Sequence, residues 1–315
     1  AAMHSPLPPS DTAPNFDPCD LYRDCTLCPR MCHANRYVRT GICGCGPEIR
    51  AARAALHFWE EPCISGQDGS GAVFFSGCTL KCCYCQNYPI SRGEVGKAIS
   101  QERLEEIFLE LQDQGARNID LITATQFLPS ILPVLEKVRP KLHIPIVYNC
   151  GGYERVETLR MLEGYVDVYL PDLKYFSSDK AKKYSGAPDY FQHASAAVEE
   201  MIRQTEKPVF DENGILVRGT LIRHMVLPGQ KEDSIRLLGW MAENLPKGGF
   251  LLSLLSQYTP FFKAAEHPQI NRRLTSYEYG KVLDAALELG LDTGYMQERS
   301  SAREEYTPPF DLEGL

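Results

Sequence analysis

The stretch Gly77-Cys78-Thr79-Leu80-Lys81-Cys82-Cys83-Tyr84-Cys85-Gln86-Asn87 organises the reading of this chain. Cys78, Cys82 and Cys85 follow the spacing C-x3-C-x2-C, directly after an apolar run at 72–76 that reads as a strand. A cubane iron–sulfur cluster is held by four thiolates. Three thiolates this close together can take three of its corners and leave the fourth iron open to a small molecule. A zinc knuckle, or chance crowding in a Cys-rich chain, is the competing reading. The strand before the first Cys and the aromatic Tyr84 before the last favour the cluster. Cys83 comes directly after Cys82 and does not reach the same cluster face.

Outward from this loop, twelve cysteines fall into two groups, six between Cys19 and Cys45 and four between Cys78 and Cys85. The first 18 residues lack the positive-then-apolar order of a signal peptide, so metal ligation in a reducing cytosol is expected rather than disulfides. With 315 residues, 43% hydrophobic and 23% charged, the chain can bury one large α/β core with an appendage. A net charge of −8 argues against broad binding to nucleic acid. No apolar run approaches the ~20 residues of a membrane span. The expected division is a disordered tail at 1–18, a Cys-rich unit and connector at 19–71, a barrel at 72–297 and a C-terminal tail at 298–315.

In the N-terminal unit Cys25 and Cys28 form a C-x2-C knuckle, Cys32 is next, and Cys43 comes after a glycine turn. Four thiolates in this pattern suit a structural zinc or a second, fully ligated cluster, and spacing does not choose between them. Cys19 and Cys45 are spare candidates, and packing as small apolar side chains is the plain alternative.

From residue 72 the pattern is strand, loop, helix, repeated. Strands are expected at 72–76, 118–123, 143–148, 166–170, within 215–226 and at 250–255. Helices are expected at 101–114, 127–138, 156–163, 190–204, 233–243 and 275–289. Near-continuous apolar strands alternating with helices indicate a buried parallel sheet. Six units rather than eight predict an open, partial (β/α)6 TIM-type barrel, with ligands at the carboxyl ends of the strands. Those ends carry Thr123 and Thr125, then Asn149, Cys150 and Gly151, then Asp172 and Lys174, then Arg223, and last Gln257 and Tyr258. Asp172 and Lys174 alternate on an extended backbone, so both face one side and suit a zwitterion, a cation or each other. Gly151 and Gly152 permit close backbone approach to a ligand or serve a turn. Arg223 can fork onto a carboxylate, while His224 points to the opposite side, toward a helix.

At these residues the chain resembles the radical S-adenosylmethionine (SAM) superfamily, over roughly 25–297. It is most similar to the pyruvate formate-lyase activating enzyme-like group with an N-terminal Cys unit. The similar stretches include Cys28-Pro-Arg-Met-Cys32, Cys85-Gln-Asn-Tyr88, Tyr169-Leu-Pro-Asp-Leu-Lys-Tyr175 and Arg223-His-Met-Val-Leu-Pro-Gly229. The resemblance implies a [4Fe–4S] cluster on Cys78, Cys82 and Cys85, with SAM chelating the open iron. It implies an electron donor of flavodoxin or ferredoxin type and a 5′-deoxyadenosyl radical that abstracts hydrogen from a substrate. It also implies roles by position. Tyr84 would lie near adenine, Thr123 and Thr125 at the SAM amino group, and Asn149 and Gly151 at the ribose. Asp172, Lys174 and Arg223 would serve SAM or a nearby cation, and Gln257 and Tyr258 the adenosine or substrate. The chain departs from the family pattern at Thr123-Ala-Thr-Gln126, where relatives carry Thr-Pro-Thr-His, and at Cys150, where they carry Thr or Ser. Cys150, Gln257 and Tyr258 remain the candidates for direct participation. A polypeptide substrate is the leading expectation, with activation of a glycyl radical enzyme or peptide modification as the reaction. A small-molecule substrate is the alternative, and a non-catalytic iron–sulfur or zinc protein the remote one.

Overall fold

Six apolar runs of the sequence form consecutive parallel strands, joined by helices that cover the sheet's outer face. The computed structural model describes residues 17–292, 294–296 and 307–315. In chain order the strands are β1 (Arg50–His57), β2 (Ser70–Phe75), β3 (Lys97–Ala98), β4 (Ile119–Ile122), β5 (Ile146–Cys150), β6 (Val168–Pro171), β7 (Val209–Phe210), β8 (Leu216–Met225), β9 (Leu251–Leu255) and β10 (Gly294–Met296). The helices are α1 (Pro62–Ser65), α2 (Tyr88–Ser91), α3 (Gln101–Asp113), α4 (Leu128–Val138), α5 (Val156–Arg160), α6 (Ser178–Ser185), α7 (Tyr190–Thr205), α8 (Lys231–Asn244) and α9 (Ser276–Glu288). The strand order is β10-β9-β8-β6-β5-β4-β2-β1-β3. Every pair from β2 to β10 along this path is parallel, so the sheet is the expected open, partial barrel.

The helices form where the apolar period predicted them. Ser100 caps α3 by accepting from the Arg103 N–H, and Leu104, Ile107, Phe108 and Leu111 turn to the sheet and are buried. On α7 the same holds for Ala194, Ala197, Val198 and Met201. The structure adds elements the sequence reading lacks, among them helix α6 and a seventh parallel strand, β10, beside β9, and three expected features differ. The helix expected from residue 127 opens with a tight turn, Thr125–Phe127, before α4 begins at Leu128. The expected helix at 156–163 ends at Arg160. The segment 47–71, read as a connector, contains strand β1, which pairs antiparallel with β2. Its sequence, Arg-Ala-Ala-Arg-Ala-Ala-Leu-His, is alanine-rich and carries little intrinsic strand preference. It is extended because the exposed edge of β2 recruits it.

The segment after β1 closes the bottom of the barrel. Cys63 and Ile64 of α1 pack against the inward-facing Val147, Val168, Leu170, Leu216 and Leu221. The Asn118 side chain ties this plug in place by donating to the Ile64 carbonyl at 2.8 Å. Residues 307–315 run along the outer edge of β1, with Leu312 N–H to Ala52 O at 3.0 Å and Ala54 N–H to Glu313 O at 2.8 Å. Among the described residues no helix is long and apolar enough to cross a membrane.

The start of α9 shows how one carboxylate anchors a helix. Thr275 and Glu278 form a capping box. Glu278 also accepts from Arg272 at 2.7 and 2.9 Å and from the Gly229 N–H at 2.7 Å. Arg272 beside it holds the Glu278 carboxyl well below the usual carboxylate range. A depressed carboxyl contributes stability that is complete above the unfolded value of 4.5 and is lost as pH falls below it. Glu278→Gln should therefore cost on the order of 2 kcal/mol at pH 7. Thermal unfolding across pH should show the gap between variant and wild type narrowing below pH 4.5. A gap that is independent of pH would contradict this assignment.

Candidate functional site

At the carboxyl end of β2 the chain reaches Gly77, whose φ of +84° turns it over the top of the sheet. Only glycine adopts this freely, and here a Cβ would also run into the Cys45 sulfur. The cysteine loop beyond it hangs over a cavity of about 270 Å³, and Cys78, Cys82 and Cys85 all line it. Cys78 Sγ accepts one backbone N–H, from Leu80 at 3.4 Å, and Cys82 Sγ lies 2.9 Å from the Ser185 hydroxyl. Burial and then the neighbouring Cys82 and Cys85 push the Cys78 thiol up to about 12. A buried thiol this hard to ionise, with two more on the same cavity, is suited to a cationic metal core that would stabilise its thiolate. Among the described residues no three His, Cys, Asp or Glu side chains converge closely enough for a single metal ion. Cys83 does not line the cavity; its backbone is pinned by the Tyr184 carbonyl and the Lys263 N–H, both at 2.8 Å.

Below the cysteine loop the cavity wall is charged. The guanidinium of Arg223 donates to Glu60 at 2.9 Å, Asp172 at 3.0 Å and the Asn149 amide oxygen at 2.7 Å. Lys174 bonds the other oxygen of Asp172 at 2.6 Å. Burial alone would raise Asp172, but Lys174 and Arg223 outweigh it and hold the carboxyl below its usual value. Burial alone would lower Lys174, but Asp172 outweighs it and raises the ammonium. Both stay charged inside the protein. Asp120 lies behind them with one oxygen unpartnered among the described residues. Burial, reinforced by Glu60, drives its carboxyl well above the usual range.

Sequence reasoning missed Glu60. It sits in the segment read as a connector, and only the turn of the chain beneath the barrel brings it to Arg223. The same turn brings Trp59 to the cavity wall, where it is 56% exposed.

The strand-end residues expected to face one site line this cavity with one exception. Thr123, Asn149, Cys150, Gly151, Asp172, Lys174, Arg223, Gln257, Tyr258 and the loop residue Tyr84 are all in its wall. Thr125 is not; its hydroxyl lies 2.9 Å from the Tyr148 hydroxyl and donates to Glu154 at 2.8 Å. The amide of Asn149 is occupied by Arg223, Glu60 and Asp120. Tyr84 hydrogen-bonds Tyr175 at 2.6 Å and packs edge-on against Tyr258. The Tyr258 hydroxyl donates to the Ile270 carbonyl at 2.7 Å. Cys150 is deeply buried, which drives its thiol well above the usual range and keeps it protonated. Gly152 has φ +79°, and a Cβ there would collide with the Asp172 carbonyl. Its close approach is therefore to the chain itself. His224 faces away, between the Leu173 carbonyl at 2.6 Å and Ser234 of α8 at 2.8 Å.

The N-terminal cysteines lie nearby. Cys25, Cys28, Cys32 and Cys43 line a second, smaller cavity, which Cys19 and Cys45 do not.

A sequence model described as the radical SAM superfamily matches residues 72–240, more than half of the chain. An uncharacterized protein of Methanocaldococcus jannaschii is 29% identical over 286 residues, covering 88% of this chain and 78% of that protein. Among solved structures, the FeFe-hydrogenase maturase HydG of Carboxydothermus hydrogenoformans superposes with a TM-score of 0.50 at 14% identity, covering 73% of this chain and 53% of its own. Streptococcus suis SuiB bound to the precursor peptide SuiA gives 0.48 at 16% identity, covering 70% and 46%. The chain thus spans about half the length of these two solved proteins.

The charge network sets its own test. Arg223→Met leaves Glu60 without its cation and Asp172 with Lys174 alone, and should cost about 2–3 kcal/mol, less than for a fully buried pair. Adding Glu60→Gln to that variant should restore part of the loss, which unfolding of the four proteins in a double-mutant cycle would measure. Strictly additive losses would show that the two side chains do not act on one another.

Proposed function

Because this chain belongs to the radical SAM superfamily, a family of enzymes, we propose that Cys78, Cys82 and Cys85 hold a [4Fe–4S] cluster and that SAM occupies the cavity beneath them. Membership implies both groups, and the three thiols converging on one cavity with charged and aromatic walls carry the reading. When bound and reduced by an external electron donor, the two groups supply a 5′-deoxyadenosyl radical that takes hydrogen from a substrate.

The chain's own residues bind, orient and exclude water. Lys174 and Arg223 offer cationic groups for the SAM carboxylate, and Asp172 offers an acceptor for its amino group. Tyr84 and Tyr258 give the cavity an aromatic wall against which adenine would pack. Thr123, Asn149, Gly151 and Gln257 border the remainder. Leu80, Ile122, Met225 and Leu255 make the intervening walls apolar, which keeps bulk water from a reactive centre.

Size argues for the substrate class. Pockets for small ligands run to about 300–1,000 Å³, and this cavity holds about 270 Å³. A space of this size suits one small ligand. The substrate then reaches the reacting carbon from the open side of the cavity, which suits a segment of polypeptide better than a second enclosed small molecule. A glycyl radical enzyme or a peptide to be modified belongs to this class.

Anaerobically reconstituted protein, reduced chemically and given SAM, should release 5′-deoxyadenosine, and Cys78→Ala, Cys82→Ala or Cys85→Ala should each abolish the product. Release unchanged in those variants would remove the proposed cluster site. Macromolecular extract from the source cells should stimulate the reaction and lose that effect after protease treatment. Stimulation confined to the small-molecule filtrate would select the small-molecule reading instead.

A further inference from the structure

The central cavity leaves the N-terminal cysteines unused, and their arrangement calls for a ligand of its own. Cys25, Cys28, Cys32 and Cys43 come from a loop with little regular structure, yet all four line one small cavity against Thr79 and the Thr125–Gln126 turn. Backbone bonds set the convergence. Cys25 N–H donates to Ala34 O and His33 N–H returns to Cys25 O, both at 3.1 Å. A Cβ at Gly41 would meet Cys43 Sγ at 3.3 Å and Cys32 Sγ at 3.5 Å, so these two thiols flank one glycine. Met31 and His33, on either side of Cys32, hold φ of +41° and +50°. Non-glycine residues keep such conformations only where their surroundings impose them. Met31 is exposed, so packing of its own side chain does not impose the turn that carries Cys32.

Two guanidinium groups stand beside the four thiols, and the buried Glu154 acts on Cys28 from the other side. Arg36 is 2% exposed, and its guanidinium donates to the carbonyls of Cys45, Gly46 and Gln126 and toward Cys25 Sγ at 4.0 Å. Arg30 also lines the cavity and donates to the carbonyls of Thr79, Ser185 and Gly186. Neither has a carboxylate partner among the described residues. Buried guanidinium groups without a counter-ion favour an anionic occupant, and four thiolates around a doubly charged metal core form a dianion.

We propose that Cys25, Cys28, Cys32 and Cys43 bind a second iron–sulfur cluster, a [4Fe–4S] core with a thiolate on every iron. The four thiols share their cavity with Thr79 of the first cysteine loop, so a redox-active cluster here would neighbour the first one, whereas a zinc ion would serve structure alone. The second centre has no open iron and so cannot take SAM. Its wall is continuous with the first loop, because Arg30 holds the Thr79 carbonyl and Gln126 donates to the Ser76 and Gly77 carbonyls at 3.0 and 3.2 Å.

The test is metal and sulfide analysis with electron paramagnetic resonance on the full chain, prepared anaerobically. Wild type should carry about eight irons and eight sulfides. The triple variant C78A/C82A/C85A should keep about four, with a reduced-state spectrum unchanged by SAM. Variant C28A/C43A should also keep about four, with a spectrum that SAM perturbs. Cys19→Ala, outside both sites, should retain about eight. About four irons in wild type, stoichiometric zinc, or no iron in the triple variant would overturn the proposal. Should C28A/C43A fail to fold, the triple variant decides, since it leaves the second site intact. Loss of the first cluster alone would leave the four irons of the second unchanged, so the two assignments fail separately.

Discussion

A single buried guanidinium connects the parts of this barrel. Arg223 projects from β8 into the interior and meets Glu60 from the floor, Asp172 from the end of β6 and Asn149 from β5. A cation in that position is costly unless every partner is in place. The plug beneath the barrel, two neighbouring strands and the rim must therefore take up consistent positions together. Lys174 completes the balance by bonding the far oxygen of Asp172. The cavity wall under the cysteine loop is thus both a structural lock and the polar surface that a zwitterionic ligand would meet.

The cysteine loop depends on supports of a different kind. Gly77 turns the chain, and Gln126 holds the Ser76 and Gly77 carbonyls from the next strand end. The N-terminal unit is fastened to the outside of the same region. Tyr22 lies 2.9 Å from the Ser130 hydroxyl, Arg155 donates to Thr26 O at 2.6 Å, and Thr158 to Leu27 O at 2.7 Å. Gln126 therefore serves as a strut between two groups of thiols.

Much of this was legible from local pattern. Six of the seven parallel strands follow from short apolar runs, and their covering helices from apolar residues three or four apart. The placement of Asn149, Cys150, Asp172, Lys174 and Arg223 on one wall follows from strand alternation and from the rule that parallel barrels work at their carboxyl ends. Alternation also sends His224 to the helix side. Thr125 escaped the same logic because the chain had already left the strand and tightened into a turn, which rotates its hydroxyl toward Glu154. Glu60 and strand β1 escaped because an alanine-rich segment carries no period of its own.

The amino-acid sequence by itself determined the chemistry on offer, namely three thiols at cluster spacing, four more in a separate unit, and a βα rhythm that commits the chain to a parallel sheet. These are properties of near neighbours, and spacing encodes them. Tertiary structure alone decided which charges meet. Glu60 and Arg223 are far apart in the chain, and nothing local to either selects the other. They pair because β1 fills an open edge and the residues after it pass under the barrel. The same folding set four N-terminal thiols against the back of the cysteine loop, with two guanidinium groups beside them.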